Sequence, residues 1–201
     1  LLENMDIDRR WCLIHATHMT DAETAKLARS GATAGLCPLT EASLGDGIFN
    51  GITFTEAGGH FGVGTDSQIE INAPGELKQL EYTQRLKHRG RNMLPRSEGQ
   101  STGRFLYQHA LHGGARALGR SIGGIARGCR ADLVILDTAH SDFAGVEDDR
   151  WLDAYVFSAG PGAIDRVIVG GRTVVEGGEH IARSAITSRY VAVKREISNA
   201  S

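Results

Sequence analysis

Three short apolar runs, separated by stretches with helical signals, limit the folds open to this chain more than any other feature of its sequence. The runs WCLIHA, ATAGLCP and HFGVGTD centre near residues 13, 35 and 63. Each is compatible with a strand, and we expect the first to be buried on both faces. Strands that alternate with helices are typical of parallel β/α units, so the sequence predicts an α/β fold.

Helix signals fill the intervals between these runs. Thr20 is an N-cap candidate, Glu23 follows it at the capping-box spacing, and Gly31 is a stop signal. Three further helices are predicted, over residues 48–57, 75–94 and 103–118. The stretch LTEASLGDG is predicted to be a loop, and residues 95–103 a polar linker.

The chain changes character after residue 120. CRADLVILD predicts a core strand at 133–136, and VIVGGRTVV predicts a hairpin with a Gly-Gly turn. The tail after His180 predicts a terminal helix or arm. We therefore divide the chain into three parts, 1–120, 121–180 and 181–201.

Polar side chains follow each of the three predicted parallel strands. His15 follows the first, Glu41 lies beyond the second, and Asp66 follows the third. Chemistry in parallel β/α folds sits at the carboxyl ends of strands, which makes these residues candidates for a site. Asp66 is either a turn aspartate or a metal ligand that also accepts a proton from water. His15 is either a histidine satisfied inside the sheet, or a ligand or an electrophile that stabilises charge on a tetrahedral intermediate. Glu41 and Asp46 either cap helices or contact substrate.

The remaining histidines and cysteines carry weaker signals. His18 is predicted to have a loop role, and His60, at the amino end of its strand, a structural one. His109 and His112 lie three residues apart on a helix, where packing or solvation is expected. The three cysteines are predicted to be reduced thiols buried in strands, which argues against a structural zinc site built on cysteine; they are Cys12, Cys37 and Cys129.

Composition narrows the class of partner. The net charge is -2, and the basic residues are scattered, which argues against nucleic acid and against an anionic membrane surface. No apolar run approaches the roughly 20 residues that span a bilayer. With no signal-peptide pattern, the expected location is the cytoplasm.

Several motifs together resemble a known family. HATH after one strand, GTDS after another, and GCRADLVILD followed by VIVGGRTVVEGG resemble the C-terminal half of a metal-dependent deaminase of the amidohydrolase superfamily. CPLTEASLGDGIF and QLEYTQRLKHRGRN are narrower motifs, most similar to the formimidoylglutamate deiminases within that superfamily. The resemblance covers nearly the whole chain.

The resemblance implies the C-terminal part of a (β/α)8 TIM-type barrel plus part of a small β-sandwich. Residues 11–16, 33–37 and 60–65 would be barrel strands six to eight. Asp66 would bind one Zn²⁺ and take a proton from water, and His15 would assist at the reacting carbon. Zinc lowers the pKa of its water toward about 7, and the hydroxide would convert N-formimino-L-glutamate, in histidine degradation, into N-formyl-L-glutamate and ammonia.

The same resemblance implies metal ligands that this sequence lacks, on the first and fifth barrel strands. The chain begins at Leu1 in LLENMDIDRR, which is typical of a helix end, so we expect a longer protein with the N-terminal half of the barrel upstream. Alone, the chain is expected neither to bind zinc tightly nor to turn over substrate, because zinc usually takes three protein ligands plus water. A homodimer is also expected. Two alternatives stay open: a deaminase of a purine, pyrimidine or triazine, and a non-catalytic remnant or subunit.

Overall fold

The structure is a computed structural model that describes residues 4–95, 97 and 99–199. These residues form two compact units. The first contains the described residues of Leu1–Cys129 and Ala139–Pro161, and the second those of Arg130–Thr138 and Gly162–Ser201. Residues 1–3 of the stretch expected to be a helix end, two positions of the expected linker (96 and 98) and the last two residues of the tail lie outside the described residues.

Three parallel strands form the sheet of the first unit. They are β1 (Cys12–Ile14), β2 (Thr33–Leu36) and β3 (His60–Val63), and they lie in that order. The predicted parallel β/α alternation is therefore confirmed. The expectation that the first strand is buried on both faces is wrong, since Ile14 is 55% exposed. Among the described residues, β1 pairs on one side only, with β2.

Two helices flank β2 along the chain. In α1 (Asp21–Ser30), the Thr20 side chain accepts from the Glu23 amide and the Glu23 carboxylate accepts from the Thr20 amide, so the predicted capping box is confirmed. The second helix, α2 (Pro38–Leu44), corrects the prediction of a loop for LTEASLGDG. Proline at the first helical position and Gly45, with φ of 72°, define its ends.

Three more helices of the first unit follow α2 along the chain. They are α3 (Gly51–Glu56), α4 (Ala73–His88) and α5 (Thr102–Leu118). Helix α4 is shorter than predicted because Arg89 adopts a φ of 54° and ends it. Helix α5 packs closely on β3, where a Cβ on Gly113 would lie 1.8 Å from the Phe61 carbonyl oxygen. Only glycine permits that approach.

A short helix, α6 (Arg150–Ala154), also belongs to the first unit. It continues into a π-helical turn over Tyr155–Ala159. The amide of Gly103 donates to Asp153 Oδ1 at 2.7 Å, which joins α6 to the start of α5. Residues 139–161, which the sequence-based division placed beyond the barrel part, pack with the first unit through such contacts. The core of this unit includes fully buried apolar side chains, among them Leu27, Leu36, Phe54, Phe61 and Leu106.

The second unit is an antiparallel sheet followed by a helix. Its strands lie in chain order, as β4 (Leu133–Leu136), β5 (Ile164–Val169), β6 (Arg172–Glu176) and β7 (Glu179–His180), and the helix is α7 (Arg183–Asn199). The predicted hairpin and terminal helix are confirmed. The predicted core strand is only half-buried, with Val134 45% and Ile135 38% exposed. Among the described residues, no helix combines the length and the apolar composition needed to cross a bilayer.

Candidate functional site

The carboxyl ends of the three parallel strands bring three metal-ligating side chains together. His15 follows β1 directly, Cys37 follows β2 directly, and Asp66 comes shortly after β3. Parallel neighbouring strands end at the same edge of a sheet, so these residues meet there. One donor atom from each lies within 4.8 Å of the other two. The His15 Nε2 atom lies 3.8 Å from Asp66 Oδ2.

Glu41 holds the ring of His15 in its orientation. Its side chain lies on α2, is 5% exposed, and places Oε1 3.3 Å from His15 Nδ1. The same oxygen accepts from the Cys37 amide at 2.8 Å. Since a carboxylate accepts hydrogen bonds, Nδ1 of His15 is the donor in this contact, and Nε2 is the ring nitrogen that faces Asp66. Burial raises the pKa of Glu41, while the hydrogen bonds from Cys37 and His15 oppose that rise.

The backbone at this edge adopts left-handed conformations at residues other than glycine. The φ angles are 64° at His15, 53° at Ala16 and 43° at Asp66. Such conformations are unfavourable for L-residues and persist only where the surrounding structure enforces them. The His15 amide donates to the Gly35 carbonyl at 2.8 Å, which helps to hold the turn after β1.

A buried threonine connects α2 to the loop that carries Asp66. Thr40 Oγ1 donates to the Thr65 carbonyl at 3.2 Å and lies 2.8 Å from Ser67 Oγ. The Ser67 amide donates to Thr40 Oγ1 at 3.3 Å. Because Thr65 and Ser67 flank Asp66, these bonds fix the backbone on both sides of the carboxylate relative to α2.

Cys37 is a site residue that the sequence interpretation missed. The sequence predicts a reduced thiol buried in a strand, whereas Cys37 is the first residue after β2, the position that His15 occupies after β1. That shared position is the signal that could have identified it. Burial, assisted by the charges of Glu41, Asp66 and Glu76, raises the pKa of the Cys37 thiol to about 11. Without a cation beside it, this thiol is protonated at neutral pH.

Glu76 on α4 is a second buried carboxyl group near this edge, and the sequence did not single it out. Its Oε2 accepts from the Leu39 amide, in the first turn of α2, at 2.9 Å. Its Oε1 is buried and has no hydrogen-bond partner among the described residues. Burial raises the pKa of Glu76 to about 7.

The other predicted residues divide between an open cleft and the packed interior. His15, His18 and Asp46 line the same cleft of about 470 Å³, where both His18 and Asp46 are accessible to a ligand. His60 begins β3 at its amino end, and burial lowers its pKa. His109 stacks on aromatic rings, with its centroid 3.9 Å from that of Phe105, in agreement with the expected packing role.

The donor set fits a zinc ion. Imidazole nitrogen, carboxylate oxygen and cysteine sulfur are the three ligand types that zinc takes in proteins. His15 and Asp66 already face one another across 3.8 Å, and Glu41 occupies the far ring nitrogen of His15. The side chains of this edge could therefore hold a divalent metal ion.

Comparison with known proteins identifies the family. A sequence profile described as "Amidohydrolase family" matches residues 2–174. The chain belongs to the amidohydrolase family. It is 47% identical over 197 residues to the formimidoylglutamate deiminase of Pseudomonas aeruginosa, a match that covers 98% of this chain and 44% of that protein.

Solved structures agree with this membership. The crystal structure of an amidohydrolase from Brucella melitensis aligns with a TM-score of 0.90 at 46% identity, over 98% of this chain and 43% of that one. A zinc-bound adenosine deaminase from Xanthomonas campestris aligns with a TM-score of 0.83 at 22% identity, over 96% and 44% of the two chains, which is a likeness of fold. The chain thus spans less than half the length of the amidohydrolases that it matches.

Proposed function

We propose that this chain is the C-terminal part of a metal-dependent amidohydrolase that converts N-formimino-L-glutamate and water into N-formyl-L-glutamate and ammonia. One observation carries the proposal. The 47% identity to a formimidoylglutamate deiminase extends over nearly the whole chain, including the strand ends where His15 and Asp66 face one another.

In this proposal β1, β2 and β3 are strands six to eight of a (β/α)8 barrel, and β4 to β7 are part of a small β-sandwich. The parallel order of β1 to β3 and the TM-score of 0.90 with the Brucella amidohydrolase support it. Residues outside this sequence supply the other strands and the remaining metal ligands. The 201 residues alone would therefore be inactive.

Asp66, His15 and Glu41 each have a defined part in the proposed reaction. The carboxylate of Asp66 binds the metal ion and accepts a proton from the attacking water. Glu41, 3.3 Å from Nδ1, holds the ring of His15, and Nε2, when it carries a proton, stabilises the charge that develops at the reacting carbon. Glu41 is thus a positioning residue, and its 5% exposure disfavours the substrate contact expected from the sequence. Asp46 lines the open cleft with His15 and is the better candidate for that contact.

We propose one zinc ion for each site. When bound, zinc lowers the pKa of a coordinated water toward about 7 and polarises the group under attack. The substrate loses its C=N bond and gains a C=O bond. The departing N–H group receives the proton taken by Asp66 and, as the C=O bond forms, the second proton of the attacking water, and it leaves as ammonia.

The test is ammonia release by the protein that contains this chain, with N-formimino-L-glutamate and adenosine as substrates. We expect release from N-formimino-L-glutamate only, lost after chelator treatment and restored by zinc. Release from adenosine alone would favour a nucleoside deaminase. No release from either substrate by zinc-loaded protein would contradict the proposal and favour a non-catalytic role.

A further inference from the structure

We propose that His15, Cys37 and Asp66 form a binding site for one thiophilic divalent cation, of the zinc and cadmium type, with the Cys37 sulfur as a ligand. The proposal goes beyond the reaction above, because that reaction does not use Cys37. It shares His15 and Asp66 with the reaction, and it rests on the proposed function only in placing Asp66 beside a metal ion.

The distances between the donors carry the proposal. One donor atom of each residue lies within 4.8 Å of the others, and Nε2 of His15 is 3.8 Å from Oδ2 of Asp66. Ligand atoms of a tetrahedral zinc ion lie about 3.3–3.8 Å apart, given bonds of about 2.0–2.3 Å. One pair therefore already has the required separation. Side-chain rotations that move a donor by about 1 Å bring all three to this range.

A second observation concerns the support of these donors. Histidines that bind metal ions usually donate their other ring N–H to a carboxylate, which fixes the ring. Glu41 provides this support, with Oε1 3.3 Å from Nδ1 of His15. The same oxygen accepts from the Cys37 amide at 2.8 Å. One buried carboxylate thus orients the imidazole ligand and anchors the backbone of the sulfur ligand.

The ligand types of His15, Cys37 and Asp66 determine which metal ions the site prefers. A thiolate and an imidazole favour zinc-like ions over magnesium or calcium, which prefer oxygen ligands. On binding, the S–H bond of Cys37 breaks, a sulfur–metal bond forms, and the proton passes to the buffer. A bound ion engages both His15 and Asp66. It would therefore inhibit the proposed reaction.

The experiment is a titration of the chelator-treated protein with Cd²⁺, followed by the ultraviolet charge-transfer absorption of a thiolate–cadmium bond. We expect the band to saturate at one equivalent and to be absent in Cys37→Ser. Cys129→Ser is the matched control, because Cys129 is also a free cysteine but lies outside the cluster, and it should keep the band. A band that persists in Cys37→Ser, or that needs Cys129, overturns the proposal.

Two further measurements protect the test against a misfolded variant. Cadmium X-ray absorption on the unmodified protein should show one sulfur neighbour, and a shell of nitrogen and oxygen alone overturns the proposal. Glu41→Gln should weaken Cd²⁺ binding about 10-fold while the band at saturation is kept. Equal affinity in Glu41→Gln would contradict the supporting role of Glu41.

The two proposals fail separately. A cadmium band in the chelator-treated protein, together with no ammonia release from the zinc-loaded protein, contradicts the proposed reaction and supports the sulfur-containing site. Ammonia release without a cadmium band does the reverse.

Discussion

Two regions of the molecule differ in which residues adopt a positive φ. One is the edge where the parallel strands end, and the other is the antiparallel sheet of the second unit. Both contain turns that need a positive φ. The hairpin between β5 and β6 places glycines there, Gly170 at 56° and Gly171 at 80°. The parallel edge places His15, Ala16 and Asp66 in this region, at 64°, 53° and 43°. Strain is therefore avoided in a structural turn and retained where two donors of the candidate site lie.

The two regions also differ in what they bury. The parallel edge and its helices bury Thr40, Glu41 and Glu76, all of which are polar. In the second unit, Ala163 is the only described residue that is buried. Among the described residues, the buried polar side chains thus all belong to the first unit, and these three lie near the strand ends.

Asp66→Asn should abolish the activity of the protein that contains this chain. We expect a loss of about 10³-fold or more, because metal-assisted catalysis contributes several kcal/mol and each 1.36 kcal/mol is tenfold in rate. The checks are ammonia release and metal content, and both should fall. A variant that keeps its metal and its activity would remove Asp66 from the site.

His15→Asn should reduce activity by about 10²-fold while most of the metal stays bound, because we assign His15 to the reacting carbon. Metal analysis and ammonia release on the same preparation check this. A His15→Asn protein that loses all its zinc would show that His15 is an essential ligand of the catalytic ion instead.

The sequence predicted the features that depend on neighbouring residues better than those that depend on contacts between distant parts of the chain. The capping box at Thr20 and the stop at Gly31 were predicted correctly, because each depends on neighbouring residues. The parallel alternation was also readable, since it follows from short apolar runs. Cys37 and Glu76 were missed because their environments depend on tertiary contacts. Glu76 reaches the Leu39 amide across 37 positions of sequence.

Glu76→Gln should change how stability depends on pH. The carboxyl is protonated in the folded state up to a pKa of about 7, whereas its ordinary value is 4.5. The unfolded state loses this proton first, so the stability that neutral Glu76 provides is present below pH 4.5 and is lost as the pH rises through 7. Glutamine stays neutral, so the variant should be more stable at pH 8, by on the order of 2 kcal/mol. Urea unfolding at pH 4.5 and pH 8 measures this difference.

Glu81→Gln is the matched control on the same helix. Glu81 is also fully buried, but Arg85 and the Met93 amide donate to its Oε1, each at 2.8 Å. Losing a charge that is hydrogen-bonded in this way should destabilise the fold at both pH values. If the stabilities of the two variants change with pH in the same way, the hydrogen bonds to Glu81 do not distinguish it from Glu76, whose Oε1 has no partner among the described residues.

Gly171→Ala should destabilise the hairpin of the second unit by about 1 kcal/mol. A Cβ at this position meets no atom within 4 Å, so the effect comes from the φ of 80° alone. Gly162→Ala is the control, because its Cβ also has open space and its φ is not in the left-handed region. Thermal unfolding of both variants checks this, and equal stabilities would show that the hairpin turn does not require glycine.

Ala16→Gly tests the other side of the comparison and should have the smallest effect, with the opposite sign. Ala16 adopts a φ of 53°, so glycine relieves a backbone penalty of about 1–2 kcal/mol and loses about 0.5–1 kcal/mol through its greater freedom when unfolded. The net expectation is a gain of about 0.5 kcal/mol, measured by urea unfolding. Ala22→Gly, at an exposed position of α1, should lose about 1 kcal/mol and is the control. If Ala16→Gly is as destabilising as Ala22→Gly, the turn after β1 stores no strain. A gain in stability with reduced ammonia release would show that the strained turn holds His15 in place, since glycine at position 16 frees the backbone directly after His15.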